Sequence, residues 1–258
     1  SWGGGYTPSM VQFNWEGRFA SYRKAKNVYG MQMSRSTYEG TRNLLNGKRP
    51  FTLTRASYAG AQRYTAIWTG DNVASDAHMM LGCRLVNSLG ITGMAFAGVD
   101  VGGFIGTASP NLFARWLTIG TFTPFFRVHK ASNENQSEPW SYGEVVENIS
   151  RNYISLRYRM LPYIYSAFAE AHKTGIPVNR TMIIDNTSDE KCWQTAYQHQ
   201  FMFGPSILVA PVESTKEITK VYLPEGTWYD FFNGMKYDGN QEIFIECPLD
   251  KLPVFAKG

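Results

Sequence analysis

YTAIWTGDNVASDAHMMLGCRLVNSLGITGMAFAG, residues 64–98, reads as strand, helix and strand in succession. Tyr64, Ala66, Ile67 and Trp68 make a short apolar run that breaks at Gly70 and leaves a carboxylate, Asp71, at the turn. Residues 76–89 then place Met80, Leu81, Leu85 and Leu89 near helical spacing, and 93–98 read as a short buried strand. The alternation extends both ways. Residues 50–55 (PFTLTR) and 123–129 (TPFFRVH) read as strands, and 111–120 as a helix with Pro110 near its start. A long helix is expected over 144–173, where Val145, Ile149, Tyr153, Leu156, Met160, Ile164 and Phe168 recur every three or four residues, with a kink at Pro162. Strands alternating with helices imply β-α units and a parallel sheet.

Beyond residue 176 the helical period is lost. PSILVAPV (205–212), KVYLPEGTWYDFF (220–232) and QEIFIECPLDKLPVFA (241–256) are strand-like runs split by Gly and Pro. The expectation is an α/β part over 1–176 and an all-β module over 177–258.

Composition narrows the function classes. The chain has 258 residues, is 43% hydrophobic and 15% aromatic, and carries a net charge of +4, so it has ample material for a globular core. Its basic clusters, Arg23, Lys24 and Lys26 and then Lys48 and Arg49, are short and scattered, which argues against a nucleic-acid face. No run of about 18 apolar residues suggests a membrane span. Cys83, Cys192 and Cys247 are an odd number at wide spacing and form neither a disulfide framework nor a zinc pattern. His78, His129, His172 and His199 stand far apart without a metal motif, and the glycine-rich SWGGGY (1–6) lacks the Lys-Ser/Thr of a phosphate loop. No metal and no cofactor is expected.

The strand ends carry the functional signal. Arg55, Asp71, Asp100 and His129 close four successive candidate strands, and parallel α/β sheets bind ligands at the carboxyl ends of their strands. Gly-Asp-Asn is by itself an ordinary turn, and Asp100 has an equally simple reading as an ion pair with Arg127. Carboxylates, Arg and His beside aromatic rings (Trp68, Phe104, Phe125, Phe126 and Trp140 lie in or near these loops) suit a sugar, which offers hydroxyls and an apolar ring face. Asp71 next to Trp68 is expected to meet an apolar wall, which raises a carboxyl pKa and suits a general acid.

RPFTLTRASYAGAQRYTAIWTGDN (49–72), MAFAGVDVGGF (94–104), RWLTIGTFTPFFRVH (115–129), EPW (138–140), LRYRMLPYIYSAFAEAHKTGIPV (156–178) and QFMFGPSILVAPV (200–212) together resemble glycoside hydrolase family 31, which includes the α-glucosidases and the catalytic subunit of glucosidase II. NVYGMQMSRSTYEG (27–40) matches the family's segment between barrel strands four and five. The resemblance implies the second half of a (β/α)8 TIM barrel followed by part of a β-sandwich, and a retaining hydrolase releasing glucose from the non-reducing end of α-glucosides. It assigns Asp71 as the catalytic acid/base. It places Arg55, Trp68, Asp100, Phe104 and His129 around the non-reducing glucose: Arg55, Asp100 and His129 bonding hydroxyls, Trp68 and Phe104 shaping the pocket.

The family's nucleophile sits in a W-x-D-M-N-E-P motif that the chain does not contain; Ser1 and Trp2 match positions just after it. Val128 replaces a common Asn, and Pro205 a common Asp. The expected partners are an α-linked glucosyl saccharide and an N-terminal half of the same enzyme that supplies the nucleophile. The chain by itself is expected to be poorly soluble and inactive. A transglucosylase or α-xylosidase of the same family, or a non-catalytic carbohydrate-binding homologue, are the alternatives. Localisation leans only weakly towards periplasm or secretion.

Overall fold

A computed structural model describes residues 11–15 and 18–258, with side chains from residue 21 onward, so the SWGGGY segment lies outside the described residues. The chain divides into two compact units, Ser1–Ile67 and Trp68–Gly258.

The first unit opens with an antiparallel pair, β1 (Val11–Trp15) and β2 (Arg18–Ser21), followed by the helix α1 (Tyr22–Leu44). This helix was not apparent in the sequence, because only Ala25, Val28 and Ser34 are buried along it. Its exposed side is steadied by an ion pair one turn apart, Arg35 Nε to Glu39 Oε1 at 2.9 Å. It ends in a Schellman turn: Gly47 N–H donates to Arg42 O at 2.9 Å, Asn46 N–H to Asn43 O at 3.1 Å, and Asn46 takes φ 52°. Two strands follow, β3 (Leu53–Thr54) and β4 (Ala66–Trp68), paired in parallel with Leu53 opposite Ala66 and Thr54 opposite Ile67. Both are shorter than the apolar runs that announced them.

The second unit begins at Trp68 and continues the β-α alternation. Helix α2 (Asp76–Ile91) starts where Ser75 Oγ accepts from His78 N–H at 3.3 Å, and Asp76 in its first turn favours the positive end of the helix. Strand β5 (Ala97–Val101) is buried throughout. It starts four and ends three residues later than expected, so Asp100 sits inside the strand and not after it. Helix α3 (Pro110–Gly120) is capped by Ser109, whose Oγ accepts from Leu112 N–H at 3.2 Å. Strand β6 (Phe125–Val128) runs parallel to β5, with Gly98 opposite Phe125 and Asp100 opposite Arg127.

The long helix expected over 144–173 is two helices, α4 (Glu144–Arg159) and α5 (Leu161–Thr174), separated at Met160. Pro162 is the cause. It has no N–H for the carbonyl four residues back, and it is tolerated only in a first helical turn, which is where the second helix places it.

From residue 179 the chain is built mainly of antiparallel strands. Strand β7 (Asn179–Thr181) and the single turn α6 (Met182–Asp185) precede β8 (Phe201–Phe203), β9 (Ile207–Val209), β10 (Ile218–Leu223), β11 (Thr227–Asp230), β12 (Lys236–Asp238), β13 (Gln241–Glu246) and β14 (Val254–Lys257). Six form one sheet in the order β12-β11-β14-β9-β8-β7, while β10 pairs with β13. Met202, Leu208, Val221, Leu223, Trp228, Ile245 and Phe255 share one core between them. Each such side chain contributes about 1.5–3 kcal/mol on full burial.

This β-module is fastened to α2, α3 and α4 by polar side chains. The buried Arg115 of α3 donates to Lys216 O (2.9 Å), Pro248 O (3.1 Å), Lys251 O (3.1 Å) and Cys247 O. Tyr153 of α4 donates to Asp250 O at 3.2 Å and accepts from Leu252 N–H at 2.9 Å. Asp76 accepts from Ser214 N–H at 2.6 Å and from its Oγ–H at 2.7 Å. Among the described residues, no helix is long and apolar enough to cross a membrane.

Candidate active site

Five of the six residues singled out in the sequence, Trp68, Asp71, Asp100, Phe104 and His129, belong to the second unit, and all stand at or near the carboxyl ends of β4, β5 and β6. Arg55 belongs to the first unit, where it directly follows β3 and is exposed.

The loop after β4 leaves the strand at Trp68, which is half-buried. Thr69 N–H still reaches Gly98 O on β5, at 3.1 Å. Gly70 then takes φ 86° and turns the chain, so Asp71 is exposed while Asn72 is buried. Asn72 closes the turn: its N–H donates to Gly70 O at 3.0 Å, and its Oδ1 accepts from Thr69 Oγ1 at 2.8 Å.

This loop is laced to the next one. Asn72 O accepts from Phe104 N–H at 2.7 Å and Ile105 N–H at 3.0 Å, and Ala74 N–H returns a bond to Ile105 O at 2.8 Å. The close approach depends on Gly103. It has φ 85°, and a Cβ there would lie 2.5 Å from Ala74 N. The loop after β6 joins the others through Ala131 N–H to Phe104 O at 3.0 Å. The Phe104 and His129 rings stack with centroids 5.2 Å apart and 26° between planes.

Below these loops lies a charge pair. Asp100 is wholly buried, and its Oδ1 accepts from Arg127 Nε at 2.8 Å. The ion pair read from the sequence is therefore present. The Arg127 guanidinium also lies 5.1 Å from the Trp68 ring centre and 5.4 Å from that of Phe125. Among the described residues, Asp100 Oδ2, Arg127 Nη2 and Trp68 Nε1 are buried without a hydrogen-bond partner. Groups of this kind are costly unless something completes them.

Burial pushes the Asp100 pKa above the usual carboxylate value; the Arg127 guanidinium and His129 oppose that, and the charge of Asp71 adds to it. The Gly70 turn delivers Asp71 to solvent, whereas Asp100 is enclosed within a central strand. Phe125 and Phe126 are half-buried on β6, and Trp140 is exposed in a short turn. Among the described residues, no group of three or more His, Cys, Asp or Glu side chains is placed to hold a metal.

Asn72 and His78, which fix the Asp71 loop, were not singled out in the sequence. An Asn in a turn and a His in a first helical turn carry no distinguishing local pattern. Their contacts depend on how the loop closes.

Residues 4–167 match the TIM-barrel domain of the glycosyl hydrolases family 31, and residues 175–258 match the C-terminal domain of the same family. An α-glucosidase 2 from Bacillus thermoamyloliquefaciens is 42% identical over 92% of this chain and 30% of its own length. The human neutral α-glucosidase C is 38% identical over 95% of this chain and 26% of its own. A family 31 dextranase from Flavobacterium johnsoniae, solved with glucose, superposes with a TM-score of 0.86 at 36% identity, covering 92% of this chain and 30% of that one. The chain thus spans well under half the length of the proteins it matches.

Proposed function

Because the chain belongs to glycosyl hydrolase family 31, we propose that it forms part of a retaining α-glucosidase in which Asp71 is the general acid and base. The observation that carries this reading is the lacing of the Asp71 loop to the Phe104 loop, directly beside the buried Asp100–Arg127 pair. An exposed carboxylate on a braced turn can reach a glycosidic oxygen, protonate it as the bond breaks, and then take a proton from the attacking water.

The other residues have distinct roles in this proposal. Asp100 Oδ2 and Trp68 Nε1 offer an acceptor and a donor to sugar hydroxyls, and completing them would offset their burial. His129, held flat against Phe104, presents a ring nitrogen to a hydroxyl, while Phe104 and Trp68 limit the pocket to a ring-sized ligand. The family resemblance alone suggests Arg55 as a further hydroxyl contact. The nucleophile comes from residues outside these 258, since no W-x-D-M-N-E-P motif occurs in them. The α-glucosidase names of the relatives support an α-linked glucosyl saccharide as substrate.

The test is Asp71→Ala in the full-length protein. Turnover of an alkyl α-glucoside is expected to fall at least about 10²-fold. Added azide, which needs no general base, should restore turnover of an activated substrate and give the α-glucosyl azide. Activity within about twofold of the parent would exclude Asp71 as acid/base.

A further inference from the structure

The loop that carries Asp71 is also anchored by a side chain from the helix that follows it. Val73 N–H, two residues beyond Asp71, donates to Nδ1 of His78 at 3.1 Å. His78 lies in the first turn of α2, where its own N–H is taken by Ser75 Oγ. Helical side chains lean back towards the helix N-terminus, so the imidazole is directed at the preceding loop. Because Nδ1 accepts from an amide, the ring carries its hydrogen on Nε2.

The turn that holds this imidazole is itself fixed. Asp76, two residues earlier, takes both the N–H and the Oγ–H of Ser214, at 2.6 and 2.7 Å, and so ties the start of α2 to the C-terminal β-module. On its other side the loop is held by Asn72 O, Phe104 N–H and Ile105 N–H. Asp71 therefore projects from a turn clamped between the Phe104 loop and the first turn of α2.

We propose that His78 is a positioning residue for Asp71: through Val73 N–H it fixes the loop so that the carboxyl group is held at the height of the leaving oxygen. The proposal rests on the acid/base reading of Asp71. It assigns a task to the C-terminal module as well, because Ser214 holds the helical turn from which the imidazole projects.

The experiment compares His78→Leu, His78→Asn and Asp71→Asn in the full-length protein on two substrates. Methyl α-glucoside has a poor leaving group that must be protonated as it departs. α-Glucosyl fluoride loses a weak base and needs far less help. His78→Leu removes the acceptor and is expected to lower kcat/KM roughly tenfold on the methyl glucoside, with little change on the fluoride. His78→Asn, whose Oδ1 occupies the place of Nδ1, should restore most of that loss. Retained kcat/KM on the fluoride, which reports steps up to loss of the leaving group, shows that the two His78 variants are folded. Equal losses on both substrates, or no loss on either, would overturn the role of His78. If Asp71→Asn shows no dependence on the leaving group, the acid/base reading itself fails. If Asp71→Asn shows that dependence and His78→Leu does not, only the positioning role fails.

Discussion

Arg127 Nε donates to Asp100 Oδ1 at 2.8 Å from the directly opposed position on the neighbouring strand. The carboxylate is fully enclosed and the guanidinium side chain is only 25% exposed, so the pair is screened far less than a surface ion pair. Removing the cation strands a buried charge. Arg127→Ala is expected to destabilise the protein by about 3 kcal/mol, read as a lowered thermal midpoint. Asp100→Asn combined with Arg127→Ala should cost less than the sum of the two changes, because the pair couples them.

The direction of the Asp100 shift sets a pH dependence. Burial raises its pKa in the folded state above 3.8, and the Arg127 interaction only partly offsets this. A carboxyl that holds its proton more tightly when folded contributes stability below 3.8 and loses it as pH rises through the elevated folded value. The thermal midpoint of the parent, relative to Asp100→Asn, should therefore be highest at the acid end and decline towards neutrality. A relative midpoint that rises over that window would contradict the assignment.

Gly103 joins the Asp71 and Phe104 loops by what it lacks. At φ 85° a side chain is strained, and its Cβ would press within 2.5 Å of Ala74 N. Gly103→Ala is expected to push the two loops apart and reduce kcat about tenfold or more, while the far-ultraviolet circular dichroism stays close to that of the parent. Unaltered kinetics would mean that the close contact is not needed for function.

Arg115 holds the β-module through carbonyls of Lys216, Cys247, Pro248 and Lys251. Arg115→Met keeps much of the stem but removes the guanidinium from all four carbonyls, including that of the buried Cys247. A loss of about 3 kcal/mol is expected, with earlier proteolytic cleavage in the segments around 214–217 and 247–251. Equal protease resistance in parent and variant would show that the module is held by its apolar contacts alone.

Asp71 and His129 were legible because each follows an apolar run, and parallel β-α units carry functional residues at the carboxyl ends of their strands; Asp100 was expected after its strand and lies within it. The start of α3 was marked by Pro110, which suits a first helical turn. Helix α1 escaped notice because its buried stripe is thin, and the break at Met160 was underestimated because spacing alone continues smoothly through Pro162.

By itself, then, the sequence determined the alternation of strand and helix from β4 to β6 and the loss of the helical period in the last third of the chain, and it offered the strand-end residues as candidates. These depend on local period and punctuation, which each segment carries within itself. Only the tertiary structure decided that Asp100 and not Asp71 would be enclosed, that Arg127 would face it, and that His78 would hold the Asp71 loop. Those outcomes depend on strand register and on a turn of positive φ, which bring together groups that the chain keeps apart.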